Sequence, residues 1–125
     1  MTDDSALELG ERMFTALSAG DLDGYRSMIA PDVVVWTNFN DLEVDADAAL
    51  RTVKWLMRTV TDLRYDIVRR DPVPGGFVQR HVLRGTAPDG TELAMPACIW
   101  VTITDGLVSR MDEYLDPAGV AALLR

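Results

Sequence analysis

With 125 residues, 48% apolar and 26% charged, the chain has the size and make-up of one globular domain spanning 1–125, able to bury about two-thirds of its unfolded surface. Twenty acidic residues against twelve basic give a net charge of −8, which argues against nucleic acid and anionic membranes as partners, since both are gripped through basic patches. One cysteine, Cys98, excludes an intrachain disulfide and fits a reducing, cytoplasmic setting, and neither a signal-peptide pattern nor an apolar run of membrane-spanning length is present.

The spacing of Ala6, Leu7, Leu9, Met13, Phe14, Ala16 and Leu17 predicts an amphipathic helix over 5–19, with Ser5 as its cap and Gly20 as its stop. Asp21 caps a second short helix through Tyr25, Met28 and Ile29, ended by Ala30-Pro31. Val33-Val34-Val35-Trp36 reads as a strand and 41–47 as an acidic loop. A third helix, capped by Asp45 or Asp47, carries the clearest apolar stripe: Ala49, Leu50, Val53, Leu56, Met57 and Val60.

Strands follow over 64–70, 77–86, 91–104 and 107–115. Turn clusters at 71–76, 88–90 and Asp105-Gly106 separate them, and Pro96 needs an edge or a bulge. Asp116-Pro117 opens a last short helix. The basic residues Arg51, Lys54, Arg58, Arg64, Arg69, Arg70, Arg80 and Arg84 read as a solvated, charge-balanced face. Helices grouped before a run of hairpins indicate an α+β fold, a curved antiparallel sheet wrapped over its helices with a pocket between.

The stretch Phe77-Val78-Gln79-Arg80-His81-Val82-Leu83 carries the chemistry. Alternation puts the chain's only histidine, with Gln79, on one strand face between Phe77 and Leu83. Buried polar groups need partners, so this pair either belongs to a structural network or lines a ligand cavity. Alternation in the last strand sets Glu113 between Met111 and Leu115, where an apolar pocket would raise its pKa toward neutrality and suit it to acid or base work. It could equally be a buried partner of His81 or Arg80, or a solvated strand-end acid. Gln79 and Asn38 offer amide donors to a carbonyl, and Trp36 and Phe77 offer apolar walls. Asn38 could instead cap a turn, Trp36 could be core, and a bulge near Trp36 would turn Thr37 and Phe39 inward in place of Trp36 and Asn38. With no CxxC, no HExxH and one histidine, neither a metal site nor a cofactor is expected.

Four strings, Ala16-Leu17-Ser18-Ala19-Gly20-Asp21-Leu22-Asp23, Val35-Trp36-Thr37-Asn38, Asp105-Gly106-Leu107-Val108 and Asp112-Glu113-Tyr114-Leu115-Asp116-Pro117, occur in an order that resembles the nuclear-transport-factor-2-like superfamily. The likeness is to its SnoaL-like and ketosteroid-isomerase-like branch, and it implies a cone-shaped α+β barrel. Steroid isomerases of this fold place a tyrosine and two aspartates where this chain has Met13, Thr37 and roughly Ile99, so their mechanism is not expected. Limonene-epoxide-hydrolase-like relatives carry polar residues at the positions of Trp36 and Asn38, Gln79 and His81, and Glu113. SnoaL-type cyclases are similar in pairing a Gln and a His in the pocket, with a carboxylate on the strand that here reads Met95-Pro96-Ala97-Cys98-Ile99; Glu113 would have to stand in for it.

The expectation is therefore a cofactor-independent enzyme acting on a small apolar, oxygenated metabolite. Its reaction would be isomerisation or aldol-type cyclisation, with epoxide hydrolysis as a variant. His81 and Glu113 would share the proton, with Trp36, Asn38, Phe77 and Gln79 around the substrate. A non-catalytic hydrophobic-ligand-binding module is the alternative, and a subunit whose pocket is filled by its own side chains is a third. The apolar outward set Cys98, Trp100 and Thr102 predicts a homodimer through the outer sheet, as the resemblance also implies.

Overall fold

The computed structural model describes residues 2–124. Helix α1 (Asp3–Ala19) starts ahead of the expected Ser5, because the Thr2 hydroxyl accepts the Ser5 amide and caps it. Gly20, in the left-handed conformation at φ 72°, ends it. Ala6, Leu9, Met13, Phe14 and Leu17 face the core. Helix α2 (Leu22–Arg26) stops short of its expected end, since Ile29 already opens strand β1 (Ile29–Thr37).

The expected acidic loop holds a short strand, β2 (Leu42–Val44), which pairs antiparallel with β1. Asp45, not Asp47, caps α3 (Ala46–Thr59). Strands β3 (Thr61–Val73), β4 (Gly76–Thr86), β5 (Glu92–Thr104) and β6 (Leu107–Leu115) follow, then α4 (Pro117–Leu123), capped by Asp116. The turn at Asp105 and Gly106 has φ of 53° and 79°, the left-handed pair of a tight type I′ hairpin.

One six-stranded curved sheet results, in the order β2-β1-β6-β5-β4-β3. It is not wholly antiparallel. β1 and β6 run parallel, a pairing permitted because α3 and several strands intervene between them. Pro72 sits on the edge strand β3, where no ladder bond is lost on the open side. Pro96 lies on β5 just beyond its ladder with β6, which begins at Ala97↔Leu115, so the proline again meets a local edge.

Two apolar clusters fill the interior. The first gathers α1, α2 and β1 against Phe77, Ile99, Val101 and Met111. The second joins α4 to Val60, Leu83, Leu93 and Met95. Phe77 thus belongs to one and Leu83 to the other, and Gln79 and His81 lie between. Helix α3 behaves differently. It carries a strong apolar stripe, yet none of its residues is buried. Leu50, Val53 and Met57 are half-buried against the first cluster, so α3 packs along the border of the interior.

Candidate active site

Alternation in β4 turns Phe77, Gln79, His81 and Leu83 inward and almost wholly out of water, while Arg80 is exposed. Gln79 and His81 are the buried polar side chains of the described residues. Across the sheet Gln79 pairs with Ile99, Ile99 with Glu113, and Glu113 with Thr37 of β1. One inward row therefore crosses four strands, with a carboxyl on it.

The two polar side chains of β4 are joined to a third. The Arg70 Nε–H donates to Gln79 Oε1 at 2.7 Å, and Gln79 Nε2 lies 2.8 Å from His81 Nδ1. Guanidinium nitrogens only donate, so the carbonyl of Gln79 must face Arg70 and its amide must face His81. His81 Nδ1 then accepts, and the imidazole proton resides on Nε2. That nitrogen stands 4.0 Å from Glu113 Oε2. The separation is too long for a direct hydrogen bond and short enough for one polar atom to bridge both groups.

Electrostatics keep this pair from being an ion pair at neutral pH: the imidazole is uncharged, and the acid is poised between its protonated and ionised forms. Burial, and secondarily the Arg70 charge, push the His81 pKa down to about 4. Burial alone pushes Glu113 up to about 7. Among the described residues no side chain hydrogen-bonds the Glu113 carboxyl, and 28% of its side-chain surface still meets water. It is a deeply packed acid that keeps some contact with water.

Two tyrosines missed at the sequence level face the same acid. The hydroxyls of Tyr25 and Tyr65 are both held above the usual tyrosine value, by burial first and by the Glu113 charge second, so they stay protonated as donors. Tyr25 donates weakly to Met111 Sδ at 3.7 Å. The Tyr65 ring meets His81 edge-on at 5.3 Å, with Phe14 at 5.2 Å from His81 on another side. The Leu63-Tyr65-Ile67 alternation was a legible signal for Tyr65. Arg70 carried no such signal: a bulge between Ile67 and Arg69 shifts the parity of β3, so Arg70 enters the fold while Arg69 stays outside. The basic cluster is thus not all solvated.

Three expected substrate contacts are corrected. Val33 is buried and Val35 and Thr37 follow it inward, so Trp36 lies on the outer face, its indole N–H on Asp41 at 2.8 Å and its ring 5.1 Å from Tyr114. Three consecutive valines give no parity, which is why alternation could not place it. Asn38 is exposed beyond β1 and clasps the Leu115 backbone, donating to its carbonyl at 3.1 Å and accepting its amide at 2.9 Å. Phe77 has no free surface and packs beneath Arg70 in the core. Gln79 has both polar atoms engaged, its oxygen by Arg70 and its nitrogen by His81.

Two open clefts lie apart from this chemistry. One, of about 390 Å³, is on the outer face among Trp36, Asp41, Glu43, Arg110, Asp112 and Tyr114. Its charges are already paired, Arg110 with Asp112 at 2.9 Å and with Glu43 at 2.6 Å, which leaves little to recognise a ligand. The other, of about 220 Å³, is at the rim where α1, α3 and β3 meet, bounded by Leu17, Met57, Val60 and Leu63.

Among curated proteins none matches the chain in sequence. Solved structures share its fold at low identity. AclR, a candidate hydroxylase from Streptomyces galilaeus, is 17% identical with a TM-score of 0.87, over 98% of this chain and 82% of its own. PrhC from Penicillium brasilianum is 12% identical with a TM-score of 0.86, over 99% and 88%. IdmH, a candidate polyketide cyclase from Streptomyces antibioticus, is 19% identical with a TM-score of 0.83, over 95% and 97%. The SnoaL-like domain model matches residues 11–111, a span that includes α3, the β4 pair and most of the sheet. The chain belongs to the SnoaL-like domain family.

Proposed function

We propose that this protein is a cofactor-independent enzyme that moves a proton beside a carbonyl group of a small, largely apolar, oxygenated metabolite. One observation carries the reading: an acid without a hydrogen-bond partner among the described residues, its pKa raised to about 7, stands 4.0 Å from the protonated nitrogen of a neutral imidazole. The roles divide rather than being shared, as the sequence had suggested. A histidine with a pKa of about 4 and its proton held on Nε2 is a poor base at neutral pH and a good donor. His81 therefore polarises the substrate oxygen and stabilises the enolate that forms. Ionised Glu113 takes the proton from the adjacent carbon, and as the acid returns it to another carbon in an isomerisation or to the aldolate oxygen in a cyclisation. Tyr65 supplies a second donor or a wall. Epoxide hydrolysis loses support, because Trp36 and Asn38 lie outside the interior.

The test is hydrogen–deuterium exchange at the α-carbon of a panel of small cyclic and unsaturated ketones in D₂O, followed by NMR. The wild type should exchange, with a rate that rises with pH and levels off above an inflection at about 7, as ionised Glu113 accumulates. Replacing Glu113 by Gln should slow exchange by about 10²–10⁴-fold. His81→Ala should also slow it while keeping the inflection. Equal exchange in the wild type and E113Q would remove the mechanism.

The same interior could hold a hydrophobic ligand without turnover, a reading favoured by the apolar stripe of α3, which is only half-buried. It predicts a ligand-dependent rise in Tm with no exchange. In either case the outer sheet face bearing Cys98, Trp100 and Tyr114 is proposed to be covered by a second copy of the chain.

A further inference from the structure

We infer that Arg70 is a positioning residue for the proposed reaction, one that fixes the direction of the Gln79–His81 hydrogen-bond chain so that His81 offers an N–H, never a lone pair, to the substrate. The inference rests on the reading of His81 as a donor and extends it to a residue that touches no substrate. Arg70 is held in one place from several sides. Its guanidinium carbon lies 5.9 Å from the Phe14 ring centroid and 5.8 Å from that of Phe77, and its Nη1 reaches Glu11 at 3.1 Å. Gly10 of α1 makes the seat: a Cβ there would come within 2.7 Å of Arg70 Nε and 2.8 Å of its Cδ.

Stability alone does not account for this arrangement. Glu11 is largely exposed, and exposed ion pairs contribute little. Arg70 Nη2 is buried with no partner among the described residues, which is an unfavourable arrangement. What the arrangement does provide is polarity. An amide side chain can flip at little steric cost and present either its oxygen or its nitrogen to an imidazole. With Arg70 in place the oxygen is claimed by a group that can only donate, so the nitrogen faces Nδ1 and the ring proton sits on Nε2. Without Arg70, Gln79 can turn its oxygen to an Nδ1–H, and Nε2 becomes an acceptor that repels a carbonyl oxygen and competes with Glu113 for the proton. The site then selects ligands with an acceptor oxygen at that point, ketone or enolate, over those that must donate.

Because the chain has one histidine, its tautomer can be read without a substrate. Protein labelled with ¹⁵N-histidine, observed at neutral pH by long-range proton–nitrogen correlation, should give one imidazole with Nε2 protonated and Nδ1 bare. Arg70→Met should lose that single state, while Arg70→Lys, which also only donates, should retain it. Gly10→Ala reaches the same point from α1, displacing the guanidinium while improving helix propensity, and serves if R70M does not fold. Exchange on the ketone panel should fall in R70M and recover in R70K. An Nδ1-protonated wild type, or an unchanged tautomer in R70M or G10A, overturns the inference. The expected tautomer without any exchange would instead count against the proposed reaction alone.

Discussion

Glu113→Gln should make the protein more stable, and increasingly so as pH rises. The native carboxyl titrates at about 7 against 4.5 for an unperturbed glutamate, because it is packed into an apolar interior. Between those values the native state holds a proton that the unfolded chain has released, so wild-type stability falls as pH rises through the window. A tenfold difference in proton affinity between the folded and unfolded chain is worth about 1.36 kcal/mol, so the penalty grows from about 0.4 kcal/mol at pH 4.5 to about 2 at pH 6 and about 3.4 at pH 8. Water reaching 28% of the side chain makes these figures ceilings. Glutamine carries no such penalty. Urea unfolding of both proteins, followed by tryptophan fluorescence, should give curves that nearly coincide at pH 4.5 and separate by about 2–3 kcal/mol at pH 8, or about 10 °C in Tm. His81 sharpens the test because its pKa moves the other way. It falls from 6.5 to about 4, so His81 contributes stability that is lost as pH drops through that range. In the wild type the two slopes largely cancel between about pH 4.5 and 6.5; in E113Q the His81 slope stands alone, and stability climbs with pH. A constant difference between the two proteins across pH would mean that Glu113 ionises as freely as a surface acid, and would refute the raised pKa on which its acid–base role is argued.

The remaining predictions separate placement from chemistry. Asn38→Ala removes two bonds to the Leu115 backbone and should lower stability by about 1–2 kcal/mol while leaving exchange within about twofold; a raised KM instead would return Asn38 to the pocket. The Tyr65 hydroxyl has no hydrogen-bond partner among the described residues, so Tyr65→Phe should leave stability within about 0.5 kcal/mol. The same change should lower kcat/KM by roughly tenfold, the loss of one donor to the substrate. An unaffected kcat/KM would make Tyr65 only a wall. Trp100, 48% exposed on the outer face, should anchor the pairing of two copies. Trp100→Glu should convert a dimer to a monomer in sedimentation, and a wild type that is already monomeric refutes that interface.

Local patterns in the chain specified most of the architecture. Apolar spacing marked out α1 and α3, Asp116 and Gly20 marked helix ends, the α3 cap was narrowed to Asp45 or Asp47, and Asp105-Gly106 announced its hairpin. In β4, strict alternation of large apolar and polar residues also determined which side chains face inward, so Gln79 and His81 could be found directly. Where neighbouring residues are alike, alternation carries no phase. Val33, Val34 and Val35 left Trp36 and Asn38 on the wrong side, and Val68-Arg69-Arg70 hid a bulge that buries one arginine and exposes the other. Only tertiary structure decided the chemistry, because pKa values and tautomers depend on what lies across the sheet rather than along the strand. The depth of Glu113, the cation seated between two phenyl rings, and the resulting direction of one hydrogen-bond chain arise from residues 11, 70, 79, 81 and 113, which come together only when the chain folds.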